Sequence, residues 1–126
     1  MTRDLPAIHA AVEATWPPAR SLLVGPVTIR EGLGGGKRVS AATATRSLAP
    51  HELTRAEAAM HGLGQDALFQ IRAGDDALDA GLDAEGYRIV DPTNIHAAPV
   101  EALTTQTPPR VTTFAVWEPL EITREI

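Results

Sequence analysis

Six residues, Gly32-Leu33-Gly34-Gly35-Gly36-Lys37, carry the strongest chemical suggestion in the chain, because a glycine-rich run ending in lysine can wrap backbone N–H groups and an ammonium around a nucleotide phosphate. The spacing does not complete that loop. It needs a glycine five positions before the one preceding the lysine and a hydroxyl directly after the lysine, and Glu31 and Arg38 stand there. A helix must also follow, whereas Lys37 to Thr45 is small and β-branched and predicts a strand. The run reads as the turn of a hairpin.

The remaining chemistry-bearing residues are as incomplete. His9, His51, His61 and His96 offer imidazoles for a metal or a proton relay, but none pairs at i,i+4 on one helix. His51 and His61 stand about three helical turns apart, too far to share an ion. Asp75, Asp76, Asp79, Asp83 and Glu85 are acidic enough for calcium, yet from no starting aspartate do oxygen ligands at alternate positions and a glycine at the sixth occur together. With Leu78 and Leu82 between them they predict the solvated face of an amphipathic helix whose start suits the helix dipole. Ser40 has no histidine and carboxylate at a recognisable spacing and sits in a predicted strand, not at a strained elbow. On that strand Arg38 and Ser40 project to one side and Lys37, Val39 and Ala41 to the other. Arg38 and Ser40 are therefore candidates for the wall of a substrate groove, and equally for an exposed rim. No set of residues completes a catalytic, cofactor-binding or metal site.

Several elements would position these groups. Leu5, Ile8 and Val12 fall at helical spacing behind Asp4, and Trp16-Pro17-Pro18 ends that helix, predicting residues 5–15. A strand is expected over 26–31, after an extended stretch from Leu22 interrupted by Gly25-Pro26, and the hairpin then returns along Lys37 to Thr45. Pro50 at a first turn, Leu53, Ala56 and Met60 on one face, and Gly62 as the left-handed stop predict a helix over 50–61. Ala67 to Ile71 alternates as a short strand, and Gly74-Asp75 opens a third helix closed by Gly86. Tyr87 to Val90 begins a strand that Asp91-Pro92 interrupts before Asn94 to Ala98 extends again. Residues 101–109 read as linker and Val111 to Trp117 as the most strand-like run. These elements give an α+β fold, a mixed and largely antiparallel sheet flanked by about three helices.

Composition narrows the function classes. The 126 residues suffice for one core, with one domain expected over 1–119 and the start of a linker over 120–126. The formal charge of −5 and the scatter of basic residues from Arg3 to Arg124 give no footprint for a phosphate backbone, so nucleic acid is not an expected partner. The absence of cysteine excludes disulfides, thiolate nucleophiles and cysteine-bound zinc, and fits a cytoplasmic protein. Residues 1–14 are too interrupted by charge for a signal peptide, no stretch is apolar enough for a membrane span, and no membrane partner is expected.

Four stretches in this order resemble the N-terminal region of two-part acetyltransferases of the GNAT superfamily. They are Ala14-Thr15-Trp16-Pro17-Pro18, the run from Val27 through Gly34-Gly35-Gly36-Lys37-Arg38-Val39-Ser40-Ala41-Ala42, Ala67-Leu68-Phe69-Gln70-Ile71-Arg72, and Leu78 through Gly86-Tyr87 to Asp91-Pro92. The resemblance spans about residues 11–118 and implies a GNAT-like fold and a parent protein that acetylates an amine from acetyl-coenzyme A. In that superfamily the cofactor pyrophosphate lies on backbone N–H groups where a strand gives way to a helix, at Gln/Arg-x-x-Gly-x-Gly/Ala. The matching passage here, Thr45-Arg46-Ser47-Leu48-Ala49-Pro50, has no glycine and ends on a proline without an N–H. The resemblance therefore implies a noncatalytic half that binds no acetyl-CoA itself, with a catalytic GNAT domain joined in cis beyond Ile126. A different reading is a free-standing interaction module, or a homodimer, using the 111–117 strand with Phe114, Val116 and Trp117.

Overall fold

The structure is a computed structural model that describes residues 4–107. The chain forms two units, one ending at Val90 and the other beginning at Asp91. The first is an α+β unit whose order follows from its turn and cap residues.

Asp4 caps helix α1 (Leu5–Thr15) by accepting from Ala7 N at 3.2 Å, and Pro17-Pro18 prevents its continuation. Strands β1 (Arg20–Val24) and β2 (Val27–Glu31) then pair antiparallel, with Leu22 opposite Ile29 and Leu23 opposite Thr28. Their hairpin turn is Gly25-Pro26, with Gly25 at φ +60°, the positive value that the first centre of a type II′ turn needs. The hairpin therefore lies one strand earlier than the glycine run at 32–36 predicted. After β2 the chain makes a single helical turn, α2 (Lys37–Ser40), and only then β3 (Thr43–Ala44), which pairs antiparallel with Val27 and Thr28. Lys37 to Thr45 is thus not one continuous strand.

Helix α3 (Pro50–Gly62) and helix α4 (Asp76–Ala84) cover one face of the three-stranded sheet β1-β2-β3. Val27 and Ile29 on that face meet Ala42, Ala44, Leu53, Ala56, Met60, Leu78 and Leu82 in one core. Its alanines let α3 approach the strands closely, while Ile29, Met60 and Val27 supply the largest fully buried side chains. Each such side chain contributes about 1.5–3 kcal/mol by leaving water.

Helices α3 and α4 stop in the same way. Gly64 (φ +72°) donates to His61 O and Gln65 N to Met60 O; Gly86 (φ +90°) donates to Asp83 O and Tyr87 N to Leu82 O. These are Schellman stops, and a side chain at the glycine would be strained in the left-handed region. The stop of α3 is thus Gly64, two residues past the predicted Gly62, which is still helical.

Between α3 and α4 the predicted strand at 67–71 reduces to one parallel bridge, Ala42 to Phe69, in which Ala42 N donates to Leu68 O and Gln70 N to Ala42 O. Tyr87 to Val90 joins no ladder among the described residues. Tyr87 is held by its side chain instead, its hydroxyl donating to Glu57 Oε1 at 2.8 Å and its ring meeting Phe69 edge-on. In the second unit, Asn94 to Ala98 forms no strand, and one short helix, α5 (Val100–Leu103), lies within the stretch read as linker. The predicted strand at 111–117 and the linker at 120–126 lie outside the described residues. Among those described, no helix is long and apolar enough to cross a membrane.

Gly81 sits inside α4 with no atom within 4 Å of an added methyl group. Gly81→Ala is expected to stabilise the fold by about 0.5–1 kcal/mol through helix propensity. Gly64→Ala is expected to destabilise it by about 1–2 kcal/mol. Urea denaturation of the two variants checks the opposite signs.

Candidate functional site

The passage from β3 to α3, which the sequence resemblance aligns with a pyrophosphate loop, is occupied by the chain's own charges. Thr45 N donates to Pro26 O and closes the sheet end. The next side chain, Arg46, then reaches over the start of α3 and grips Glu52 through both oxygens, Nη1 to Oε1 at 2.8 Å and Nη2 to Oε2 at 2.7 Å. Glu52 Oε1 also accepts from Ala49 N at 3.0 Å, so the carboxylate lies at the positive end of the helix dipole. Ala49 has no side chain that could cap, and Pro50 has no N–H to offer. The hydrogen bonds from Arg46 and then Ala49, opposed by burial, bring the Glu52 carboxyl down to about 2.

The glycine run forms the rim of an open groove of about 400 Å³ together with Lys37, Ser40, Gly64, Gln65, Asp66 and Leu68. Gly35 N donates to Gly32 O in a tight turn, and α2 follows at once. The groove is fixed by Gln65. Its Nε2 donates to Arg30 O at 2.7 Å and its Oε1 accepts from Gly32 N at 2.9 Å, so one side-chain amide binds the β2 edge as a neighbouring strand's peptide would. Residues 37–41 cannot pair along that edge, which is why the chain turns helical there and rejoins β2 only at Thr28.

That change of element separates the two groove candidates. On a strand Arg38 and Ser40 would share a side, but on α2 they are about 200° apart. Ser40 lines the groove, its hydroxyl donating to Gly36 O at 2.9 Å. Arg38 instead lies over the Trp16 ring, its guanidinium carbon 5.1 Å from the ring centroid. Gln65 was not among the sequence candidates. No local signal marked it, because its partners Gly32 and Arg30 lie 33 and 35 residues away.

The other chemical residues are dispersed. His51, His61 and His96 are exposed and His9 half-buried. Among the described residues, no three or more His, Cys, Asp or Glu side chains are placed to hold a metal ion. Asp75 turns back to accept from Arg72 N at 2.9 Å and Arg72 Nε at 3.1 Å, fixing the corner before α4. Burial and the hydrogen bond to Glu57 push the Tyr87 phenol above its usual range, so it stays protonated as a donor.

No family model matches the chain, and comparisons with curated proteins and with solved structures find no match.

The Glu52 carboxyl is lowered by folding, so its stabilisation is complete above its ordinary value near 4.5 and is lost as pH falls towards about 2. Glu52→Gln removes that contribution. Thermal melts are expected to show the variant less stable than the parent chain at pH 7, with the gap narrowing between pH 4.5 and 2. A gap that does not change with pH rules the linkage out.

Proposed function

We propose that this chain is the noncatalytic N-terminal half of a cytoplasmic two-part GNAT-type N-acetyltransferase. In this reading a catalytic domain in cis transfers acetyl from acetyl-CoA to an amine. The half described here supports that domain and contributes a wall of the acceptor groove. The passage between β3 and α3 carries the proposal. In a working half the cofactor pyrophosphate needs free N–H groups at that point, and here Glu52 takes the Ala49 N–H, Pro50 has none, and Arg46 is already neutralised. A pyrophosphate arriving there meets a carboxylate of like charge.

The fold adds support for the superfamily. Three antiparallel strands lead into α3, an extended segment then makes one parallel bridge from Phe69 to Ala42, just before β3, and α4 follows. That order fits the GNAT-like sheet, mixed but largely antiparallel, that the resemblance implies. The groove with Ser40 on its wall, rigidified by Gln65, is the surface best suited to an acceptor; Arg38, held on Trp16, is not part of it.

Two measurements test the reading. Calorimetry of the isolated chain with acetyl-CoA is expected to show no saturable binding, and saturable binding overturns the noncatalytic assignment. The reading frame following codon 126 is expected to encode a domain with a Gln/Arg-x-x-Gly-x-Gly/Ala loop, and a frame without one removes the acetyltransferase proposal. In the two-part enzyme, Ser40→Ala is expected to raise the KM for the amine acceptor about two- to tenfold, the range of one lost hydrogen bond, with the KM for acetyl-CoA unchanged.

A further inference from the structure

Helix α1 is only lightly covered by the rest of the fold. None of its eleven residues is buried, and Leu5, Ile8 and Val12 are only half-buried. The bonds that keep it helical are local: Asp4 caps one end, and Thr15 Oγ1 donates to Ala11 O at the other. Its polar contact with the sheet is Glu13, whose carboxylate lies across the Nε and Nη2 atoms of Arg30 at 3.1–3.2 Å. Just beyond its last turn, Trp16 is covered by Arg38.

Arg30 is fixed independently of that helix. Its Nη1 donates to Ala41 O at 3.2 Å and to Thr43 Oγ1 at 2.9 Å, and its side chain is 8% exposed, while that of Glu13 is 47% exposed. The guanidinium is thus held rigid on its Nη1 side and presents the Nε–Nη2 edge as a planar fork, the geometry that takes a carboxylate through two parallel bonds. On the same face of the sheet, Ser21, which pairs with Arg30, is exposed, and Leu23, which pairs with Thr28, is 77% exposed.

We propose that the Nε–Nη2 edge of Arg30 is a carboxylate-binding site, which α1 closes by placing Glu13 in it and opens when the helix lifts. The site accepts a carboxylate from a small organic acid or from an acidic peptide segment. It stands independently of the acetyltransferase reading, since it uses neither the Ser40 groove nor the passage into α3.

The test removes the internal occupant and supplies external ones. Sodium formate is titrated into Glu13→Ala, with sodium chloride at matched ionic strength as control, and followed by the Arg30 Nε–Hε resonance and by thermal melting. Formate is expected to shift that resonance saturably and to raise the Tm by about 5 °C once it is tenfold above its Kd. Chloride is expected to do neither, and Glu13→Ala combined with Arg30→Lys is expected to lose both responses. Glu13→Gln, which preserves the shape of α1, is titrated alongside and serves if Glu13→Ala does not fold. A short peptide carrying one glutamate forms the second arm: saturation by the peptide but not by formate assigns the site to a peptide-borne carboxylate. Equal responses to formate and chloride, or no saturable response to either carboxylate in the variants that fold, overturn the proposal.

Discussion

A guanidinium placed on the central strand of a small sheet must have all its donors satisfied, and the arrangement around Arg30 follows from that requirement. Leaving one side of a buried charge without its partner costs about 3–5 kcal/mol. Arg30 is bonded by Ala41 O just after α2, by Thr43 Oγ1 at the start of β3, and by Glu13 from α1. One side chain therefore fixes the entry to β3 and the end of α1 against the same strand. Its backbone is used as well, because Arg30 O accepts from Gln65 Nε2. The opposite face of β2 can then present Val27 and Ile29 to the core.

The two Schellman stops do comparable work at a distance. Each ends a helix on a left-handed glycine and sends the following residue back toward the sheet layer: Gln65 after α3 and Tyr87 after α4. Gln65 substitutes for a missing strand along β2, while Tyr87 ties the chain after α4 to Glu57 on α3 and to Phe69. In both places a side chain does what a ladder would otherwise do. This is why the segments at 37–41 and 87–90, though composed for strands, are not in ladders among the described residues.

Those segments also mark how far the sequence could be read. Helix α1 matches its predicted residues, and α3 and α4 differ by only a residue or two, because their apolar spacing, prolines and glycines are local signals. The β2 strand is equally legible in Val27, Thr28 and Ile29. The hairpin was misplaced because two glycine-containing turns competed: the longer run at 32–36 suggested a turn by composition, while Gly25-Pro26 forms one by conformation. What decided the outcome was Gln65, 33 residues from Gly32, and no window along the chain contains both. The placement of Arg38 and Ser40 failed for the same reason, since their shared face assumed a period of two where the chain has a helical turn.

The incomplete glycine loop and the sealed helix start describe one physical situation from two sides. A backbone cradle for a phosphate needs N–H groups that nothing in the chain has claimed, beside positive charge that nothing has neutralised. The glycine run supplies freedom, but Gly32 N is spent on Gln65 and Gly35 N on Gly32 O. The start of α3 has the dipole, but Glu52 occupies it and Arg46 occupies Glu52. Gly32 N, Gly35 N, Ala49 N and the Arg46 guanidinium are thus all bonded to internal acceptors. At Arg30 an external carboxylate would have to displace Glu13, which is nearly half exposed on a helix with no buried residue. The carboxylate exchange proposed at Arg30 thus asks for the displacement of one half-exposed side chain, where a phosphate loop would ask for the release of several bonded donors.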